Sequence, residues 1–359
     1  MTRDKASENR DGGLSPRALL DALPLPGLVV DGGRRVAVAN AAARALLGDA
    51  IEGRDLVFAL RDPQVLASVD RALAGERNDA CEWQHAGPGR RIFQVQAQPL
   101  PDVDGEVSAV MVTFSDITLA LEAERVRSAF VSNVSHELRS PLSTLISAIE
   151  TLMTTARDDP QARARFLDLM ATEAQRMRRL VDDLLSLSRL ETLEHIPPRD
   201  PVEVGPLIDE VARALAKRAQ ARDMTIDVRV PDDLTPVAAD RDELIEVFDN
   251  LIDNAIKYGE AGTTITVEAE AHDRLAELGR AGVRLIVHNL GRPIPPEHLP
   301  RLTERFYRVD KSRSRELGGT GLGLAIVKHI VNRHRGRLIL ESSADLGTRI
   351  TVLLPVQPA

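Results

Sequence analysis

Residues 134–142 read VSHELRSPL, a helical stretch that sets His136, Glu137 and Ser140 side by side and then runs into Pro141. Upstream, Leu119, Ala123, Val126 and Phe130 recur at heptad spacing, and downstream Leu138, Leu142, Leu145, Ile149 and Leu152 do the same. Between the two runs Phe130, Val134 and Leu138 follow each other at steps of four, which lengthens the seam by one residue and changes the local winding. At about 100° per residue, His136 stands roughly 200° from both Val134 and Leu138, so it faces away from the apolar seam. A lone histidine is more often a satisfied core residue, and this placement argues against that. Pro141 lacks the ladder N–H and crowds the preceding turn, which predicts a kink just beyond His136. Ser140 lies one turn on and shares the histidine's face, while Glu137 is long enough to swing towards the imidazole. Imidazole is mostly neutral at cellular pH and can offer a ring nitrogen as nucleophile, and a carboxylate on the other ring N–H would fix the tautomer.

The stretch TTARDDPQ ends this helix, with Asp159 as a cap and Pro160 at the first position of the next. Phe166, Met170, Met177, Leu180, Leu184 and Leu187 then form a second stripe, interrupted by Glu173. Two amphipathic helices on a short loop make a hairpin whose apolar faces are too wide for one partner, so a homodimer forming a four-helix bundle is expected. HIPPRDP at 195–201 reads as a linker.

The chain has 359 residues, too many for one ordinary core. Its net charge of −8 argues against direct nucleic-acid binding, which needs clustered positive charge. Cys81 is the single cysteine, which excludes an intrachain disulfide framework and a cysteine-built zinc site and fits a reducing compartment. No apolar run approaches the roughly 18 residues of a membrane span, and the first residues carry no signal-peptide core, so a cytoplasmic chain is expected. Lys5, Lys217, Lys257, Lys311 and Lys328 are the lysines among 46 basic residues, so a lysine inside a motif is notable.

The expected architecture is multidomain α+β. Residues 1–14 are polar and expected to be disordered. Over 15–118, GLVVD and RRVAVAN read as short strands around a Gly-Gly turn, Ala41–Leu47 as a helix, and RRIFQVQAQPL and VSAVMVTF as antiparallel strands. With LLDALPLPGLVVDGGRRVAVANAAARALLG and the closing Asp116-Ile117-Thr118, this segment resembles a PAS domain, which implies a small α/β sensor fold. The hairpin occupies 119–198. Over 199–359 helices and strands alternate, and helices segregated from a mixed or antiparallel sheet predict a two-layer α/β sandwich.

That last domain holds a second constellation. In NLIDNAIKY, Asn250, Asn254, Lys257 and Tyr258 share one helix face, pointing two amides, an ammonium and a phenol at one place. A solvated polar face is the bland alternative. GGTGLGLAIV at 318–327 opens an apolar helix with a glycine-rich turn, so backbone N–H groups and the helix N-terminus can approach phosphates with no Cβ in the way. Alone it is a weak signal; with NLIDNAIKY upstream and ERFYRVDKS between, it is a strong one.

VSHELRSPL, DNLIDNAIKYG, RLTERFYRVDKS and GGTGLGLAIVKHIV, in this order and spacing, resemble the H, N, F and G2 boxes of sensor histidine kinases. The helical stretch from Glu150 to Glu191 and the run around GGTGLGLAIVKHIVNRHRG further resemble phosphate-regulon sensor kinases. The resemblance implies that the sandwich is of the GHKL ATPase type, with ATP and Mg²⁺ as cofactors and a response regulator receiver domain as partner. His136 would then be the phosphoacceptor, Glu137 the general base, and Ser140 the residue that orients water for regulator dephosphorylation. Asn254 would hold Mg²⁺, Asn250, Lys257 and Arg308 the phosphates, Tyr258 the nucleotide, and Gly319, Gly321 and Gly323 would shape the ATP lid. Where the family writes Asp-x-Gly-x-Gly, this chain has Asn289, Gly291 and Pro293. Asn289 keeps an acceptor for the adenine amino group and loses its charge, and Pro293 removes an N–H. Phosphate-regulon sensors usually carry a membrane anchor, so the expectation is either a member that senses in the cytoplasm through its N-terminal domain or a truncated chain. Three functions compete: a histidine kinase; a nucleotide-poor pseudokinase acting as regulator phosphatase or docking scaffold; and a gyrase- or chaperone-type ATPase, which leaves the His136 hairpin unexplained.

Overall fold

Alternation of apolar and polar residues in IFQVQAQPLP and VSAVMVTFSD builds the first sheet. In β4 (Ile92–Pro101) Phe93, Val95 and Ala97 are buried, and in β5 (Val107–Asp116) Val110, Val112 and Phe114 are. Their register sets Val95 opposite Phe114 and Ala97 opposite Val112, so the apolar face is continuous across strands. With β1 (Gly27–Asp31), β2 (Val36–Ala39) and β3 (Cys81–Gln84) they form an antiparallel sheet of order β2-β1-β5-β4-β3. Helices α1 (Pro16–Asp21), α2 (Ala41–Leu47) and α3 (Pro63–Leu73) accompany it. Asn40 caps α2 through Ala43 N and also binds Gly27 N, Leu20 O and Leu25 O, so this buried amide is fully satisfied. The computed structural model describes residues 16–356 except 77, 86, 88, 103 and 311–316. The amino terminus expected to be disordered lies outside the described residues.

Strand β5 passes into helix α4 (Thr118–Met153) through Asp116, whose Oδ1 accepts from the Thr118 N–H at 3.0 Å and hydroxyl at 2.6 Å. The chain divides into two compact units, residues 1–129 and 130–359, so the boundary falls within α4. Pro141 lies inside α4 and is buried. The expected break follows at Met153, and α5 (Pro160–Leu193) starts on an Asp159 cap accepting from Gln161 N and Ala162 N, with proline at its first position.

Beyond α5 come β6 (Pro201–Val202), α6 (Val204–Gln220), β7 (Thr225–Arg229), β8 (Val237–Ala238), α7 (Arg241–Tyr258), β9 (Thr264–Leu275) and β10 (Arg280–Asn289). Helix α8 (Gly323–Arg333), β11 (Arg337–Ser343) and β12 (Gly347–Pro355) complete it. The sheet order is β11-β12-β10-β9-β7, antiparallel except for the parallel β7–β9 pair, as the mixed-sheet reading predicts. Ile265, Val267, Val283, Leu285, Val352 and Leu354 of the sheet share a core with Leu207, Phe248 and Ile326 of α6, α7 and α8.

The same core contains Leu180, Leu187 and Leu190 of α5. Two residues of the stripe read as a dimer seam, Leu180 and Leu187, therefore pack into the sandwich, while Phe166, Met170, Met177 and Leu184 are half-buried. The hairpin beyond Ala129 and the sandwich are one compact unit rather than a stalk with a detached module. Leu142, Ile146, Ile149 and Met153 of α4 and Leu167, Leu169 and Leu185 of α5 stay exposed. Among the described residues, no helix is long and apolar enough to cross a membrane.

Beneath the sandwich, His334 is buried with its Nδ1–H donating to Ile330 O at 2.8 Å and its Nε2 accepting from Asp240 N at 3.0 Å. Both contacts together require the neutral ring. Arg333 beside it binds Glu243 and donates from Nε to Ile196 O at 3.0 Å, which ties the linker after α5 to this corner. Burial holds the His334 pKa below its ordinary 6.5. The stability that neutral His334 contributes is thus complete above about pH 6.5 and lost as pH falls through the folded-state value. Thermal midpoints measured on the acid side should fall more steeply for the wild type than for His334→Gln, with the variant less stable above pH 6.5.

Candidate functional site

On α4, His136 and Ser140 are exposed and Glu137 is half-buried, as the facing argument requires for the histidine. Glu137 does not turn to the imidazole. Its Oε2 accepts from Arg176 Nη2 of α5 at 3.1 Å and from Arg308 Nη2 at 3.2 Å. Glu137 lies on the flank of α4 towards α5, where two guanidiniums with side chains only 10% and 4% exposed offer charge-assisted bonds that a solvated histidine does not match.

The second constellation closes around a cleft of ≈ 720 Å³. Helix periodicity brings Asn250, Asp253, Asn254, Lys257 and Tyr258 of α7 to one wall, and the end of β10 adds Asn289. Arg308, Gly319, Gly321 and Gly323 line the opposite side. Val287, Ile294, Leu340 and Ile350 make one region of the lining apolar, where a flat ring can be buried. Of the ten positions expected to bind nucleotide, Gly291 alone is not on the cleft surface. It pairs with Gly259 behind Tyr258, and a Cβ there would lie 2.7 Å from Tyr258 O. That glycine fixes a backbone approach.

Asn250 donates from Nδ2 to Glu246 O at 2.9 Å, and a Cβ at Gly323 would fall 2.3 Å from its Oδ1, so the amide and the start of α8 meet only because residue 323 is glycine. Gly321 has φ +78° and lies against Phe306, again a place for glycine. Helix α8 begins at Gly323 with no side-chain cap hydrogen bond, so its first-turn N–H groups are suited to an anion. Lys257 Nζ is held 2.7 Å from Asp253 Oδ2, and Asp253 also pairs with Arg218. Arg308 Nη2 donates to Thr320 O at 2.7 Å, while its buried Nε has no hydrogen-bond partner. Asn254 lines the cleft with an amide, a type of group whose oxygen suits a hard divalent ion; among the described residues, no group of three or more His, Cys, Asp or Glu side chains that could hold a metal occurs.

Several residues at this site have no signal in the sequence. Arg176 reaches Glu137 across 39 positions. Asp183 of α5 accepts from Thr320 Oγ1 of the glycine loop at 2.7 Å, and Ser186 donates to Glu246 of α7 at 2.9 Å. Burial raises the pKa of Asp183, Glu246 and Asp249, against the lowering pull of those hydrogen bonds and of Lys257. Phe130 and Phe306 pack at 5.9 Å between ring centroids, and Arg305 binds Glu191. The glycine loop and Arg308 thus rest on the hairpin.

Three family models match in succession. Residues 20–122 match the PAS fold, 126–193 the His Kinase A (phospho-acceptor) domain, and 239–358 the histidine kinase-, DNA gyrase B- and HSP90-like ATPase. The phosphate regulon sensor protein PhoR of Pseudomonas aeruginosa is 39% identical over 239 residues, covering 66% of this chain and 52% of its own. The sensor protein kinase WalK of Staphylococcus saprophyticus is 35% identical over 266 residues, covering 74% of this chain and 42% of its own. The chain therefore spans about half the length of these curated relatives. Among solved structures, the histidine kinase ThkA in complex with response regulator protein TrrA shares the fold, with a TM-score of 0.50 at 20% identity over 94% of this chain and 97% of that one. With a PAS fold, a phosphoacceptor hairpin and an ATPase sandwich in this order, the chain belongs to the sensor histidine kinases.

Proposed function

We propose that this chain is an ATP-dependent protein-histidine kinase that phosphorylates His136 and passes the phosphoryl group to an aspartate of a response regulator receiver domain. The observation that carries the reading is that an exposed histidine on the phosphoacceptor hairpin and a nucleotide-sized cleft belong to one compact unit, joined through Glu137 and Arg308. An unprotonated His136 ring nitrogen attacks the γ-phosphorus of ATP, the bond to the β–γ bridging oxygen breaks, and ADP leaves. Glu137 takes the proton from the other ring nitrogen. In the second step the N–P bond breaks as an aspartate oxygen of the receiver attacks, and the imidazole regains a proton.

The cleft residues divide the nucleotide between them. The apolar region takes the base, with Asn289 as its buried amide and Tyr258 beside it. Asn250, Lys257, Arg308 and the N–H groups around Gly319, Gly321 and Gly323 take the phosphates. Asn254 would hold Mg²⁺, which would supply neutralisation of phosphate charge. Ser140, exposed one turn from His136, orients a water for receiver dephosphorylation. The exposed apolar rows of α4 and α5 support a homodimer, whose second copy covers them. ThkA was solved with its response regulator, which supports a receiver as partner here. The PhoR relative supports a phosphate-regulon role, while the WalK relatives support only a sensor protein kinase.

A second reading, a nucleotide-poor scaffold or regulator phosphatase, is favoured by Asn289 and Pro293. Incubation with radiolabelled ATP separates the two. Acid-labile label should appear on the wild type and not on His136→Gln; an unlabelled wild type would leave the scaffold standing. Asn289→Asp should tighten ATP several-fold by restoring a charged acceptor at the buried base site. Titration showing equal or weaker binding would count against the placement of the base.

A further inference from the structure

Glu137 has two oxygens, and both guanidiniums use the same one. Arg176 and Arg308 each donate to Oε2, so Oε1 is left for another donor. The two arginines are not equivalent. Arg308 also lines the cleft, bonds the glycine loop at Thr320 O, and carries a buried Nε without a partner, so its hydrogen bonding is incomplete until an anion enters the cleft. Arg176 lies on α5 away from the cleft lining, is 8% exposed, and has Glu173 at 3.8 Å as its only other charged partner among the described residues. A triphosphate brings several negative charges to Arg308, far more than one carboxylate, so loading the cleft draws Arg308 off Glu137. The carboxylate would then be half-buried and unpaired, which is costly, unless another cation stays.

We propose that Arg176 is a positioning residue for the phosphorylation of His136: it keeps hold of Glu137 Oε2 when nucleotide takes Arg308, so that Oε1 is free to accept from the neighbouring imidazole N–H. This rests on the kinase reading above and adds a residue to it. A guanidinium is suited to this, because it keeps its charge at any working pH and its Nη2 holds one carboxylate oxygen while the other stays free. Arg176 touches neither nucleotide nor imidazole and acts through Glu137 alone. Its loss should therefore slow chemistry without weakening ATP, a separation that general damage to the fold would not produce.

The test uses the full chain and follows initial phosphohistidine formation against ATP concentration, beside direct titration with a fluorescent ATP analogue. Arg176→Gln should lose on the order of tenfold in rate at saturating ATP while KM and nucleotide affinity move by less than about twofold. Arg176→Lys should recover part of the rate, because it restores the charge on a differently shaped side chain. Glu137→Gln should itself be slow, and Glu137→Gln with Arg176→Gln should be no slower, since both act on one group. The inference is overturned if Arg176→Gln labels at the wild-type rate, if its affinity for nucleotide falls together with its rate, or if the two substitutions multiply. A wild type that labels while Glu137→Gln labels equally well would remove the base and this inference but leave the kinase; a wild type that takes no label would remove all three.

Discussion

The arrangement depends on one hydrophobic contact, the packing of Leu180, Leu187 and Leu190 of α5 into the core that α6, α7 and α8 make with the sheet. Leu187 is 1% exposed and Phe248 is fully buried, and side chains sealed to this degree contribute about 1.5–3 kcal/mol each. Because that seam is apolar and continuous, it sets the height of the hairpin against the cleft to within bonding distance. Glu137 meets Arg308, Asp183 meets Thr320, and Ser186 meets Glu246 as consequences of it. None of those polar contacts alone would order two domains. The net contribution of each such hydrogen bond is modest, about 0.5–1.5 kcal/mol, and about 1.5–3 kcal/mol where a charged group takes part.

The polar seam laid over this core carries carboxylates on both sides, Asp183 on the hairpin and Glu246 and Asp249 on α7. Burial disfavours charge on Asp183, Glu246 and Asp249, neighbouring carboxylates add to it, and it is opposed by the Thr320 and Ser186 hydroxyls, by arginines and by a lysine already paired with Asp253. Contacts made by such groups are exchangeable. A buried carboxylate left without a donor is costly, so these contacts exchange one donor for another rather than being lost, and Arg308 retains an unused buried N–H. The hydrophobic contact is therefore the persistent part and the ionic layer the part that responds when a polyanion arrives. Catalysis of phosphoryl transfer requires placement and charge neutralisation more than covalent chemistry, and both follow from re-pairing in this layer.

What the sequence disclosed follows the range of the interactions. The Asp159–Pro160 start of α5, the alternation in β4 and β5, and the shared helix face of Asn250, Asn254 and Lys257 are local, and the structure shows each. The facing of His136 came from periodicity and agrees with its exposure. The partner of Glu137 did not, because Arg176 and Arg308 are 39 and 171 positions away and no local pattern encodes them. Leu180 and Leu187 illustrate a second limit. Periodicity says that a stripe is apolar and is silent on whether a sister helix or a neighbouring domain buries it. The sandwich covers these two, with Leu184 packed against the same core, while Leu167, Leu169 and Leu185 of the same helix stay exposed.

Asn289 shows how a departure from a family motif is to be weighed once geometry is known. Its main chain pairs with Thr348 in β12, and the chain on both sides is pressed into place by glycines. A Cβ at Gly347 would lie 2.4 Å from Asn289 O, and one at Gly291 would meet Tyr258 O. The side chain is thus presented to the cleft by backbone contacts that do not depend on whether it ends in an amide or a carboxylate. The substitution leaves the shape of the base site as the sheet dictates and changes only its charge. Pro293, two residues beyond Gly291, lines the cleft after the strand has ended, where β10 has no further ladder bond for a missing N–H to break. A site whose walls are set in this way tolerates both changes as adjustments of affinity, because neither reaches the phosphate end, where Arg308 and the start of α8 are fixed by the hairpin and by Asn250.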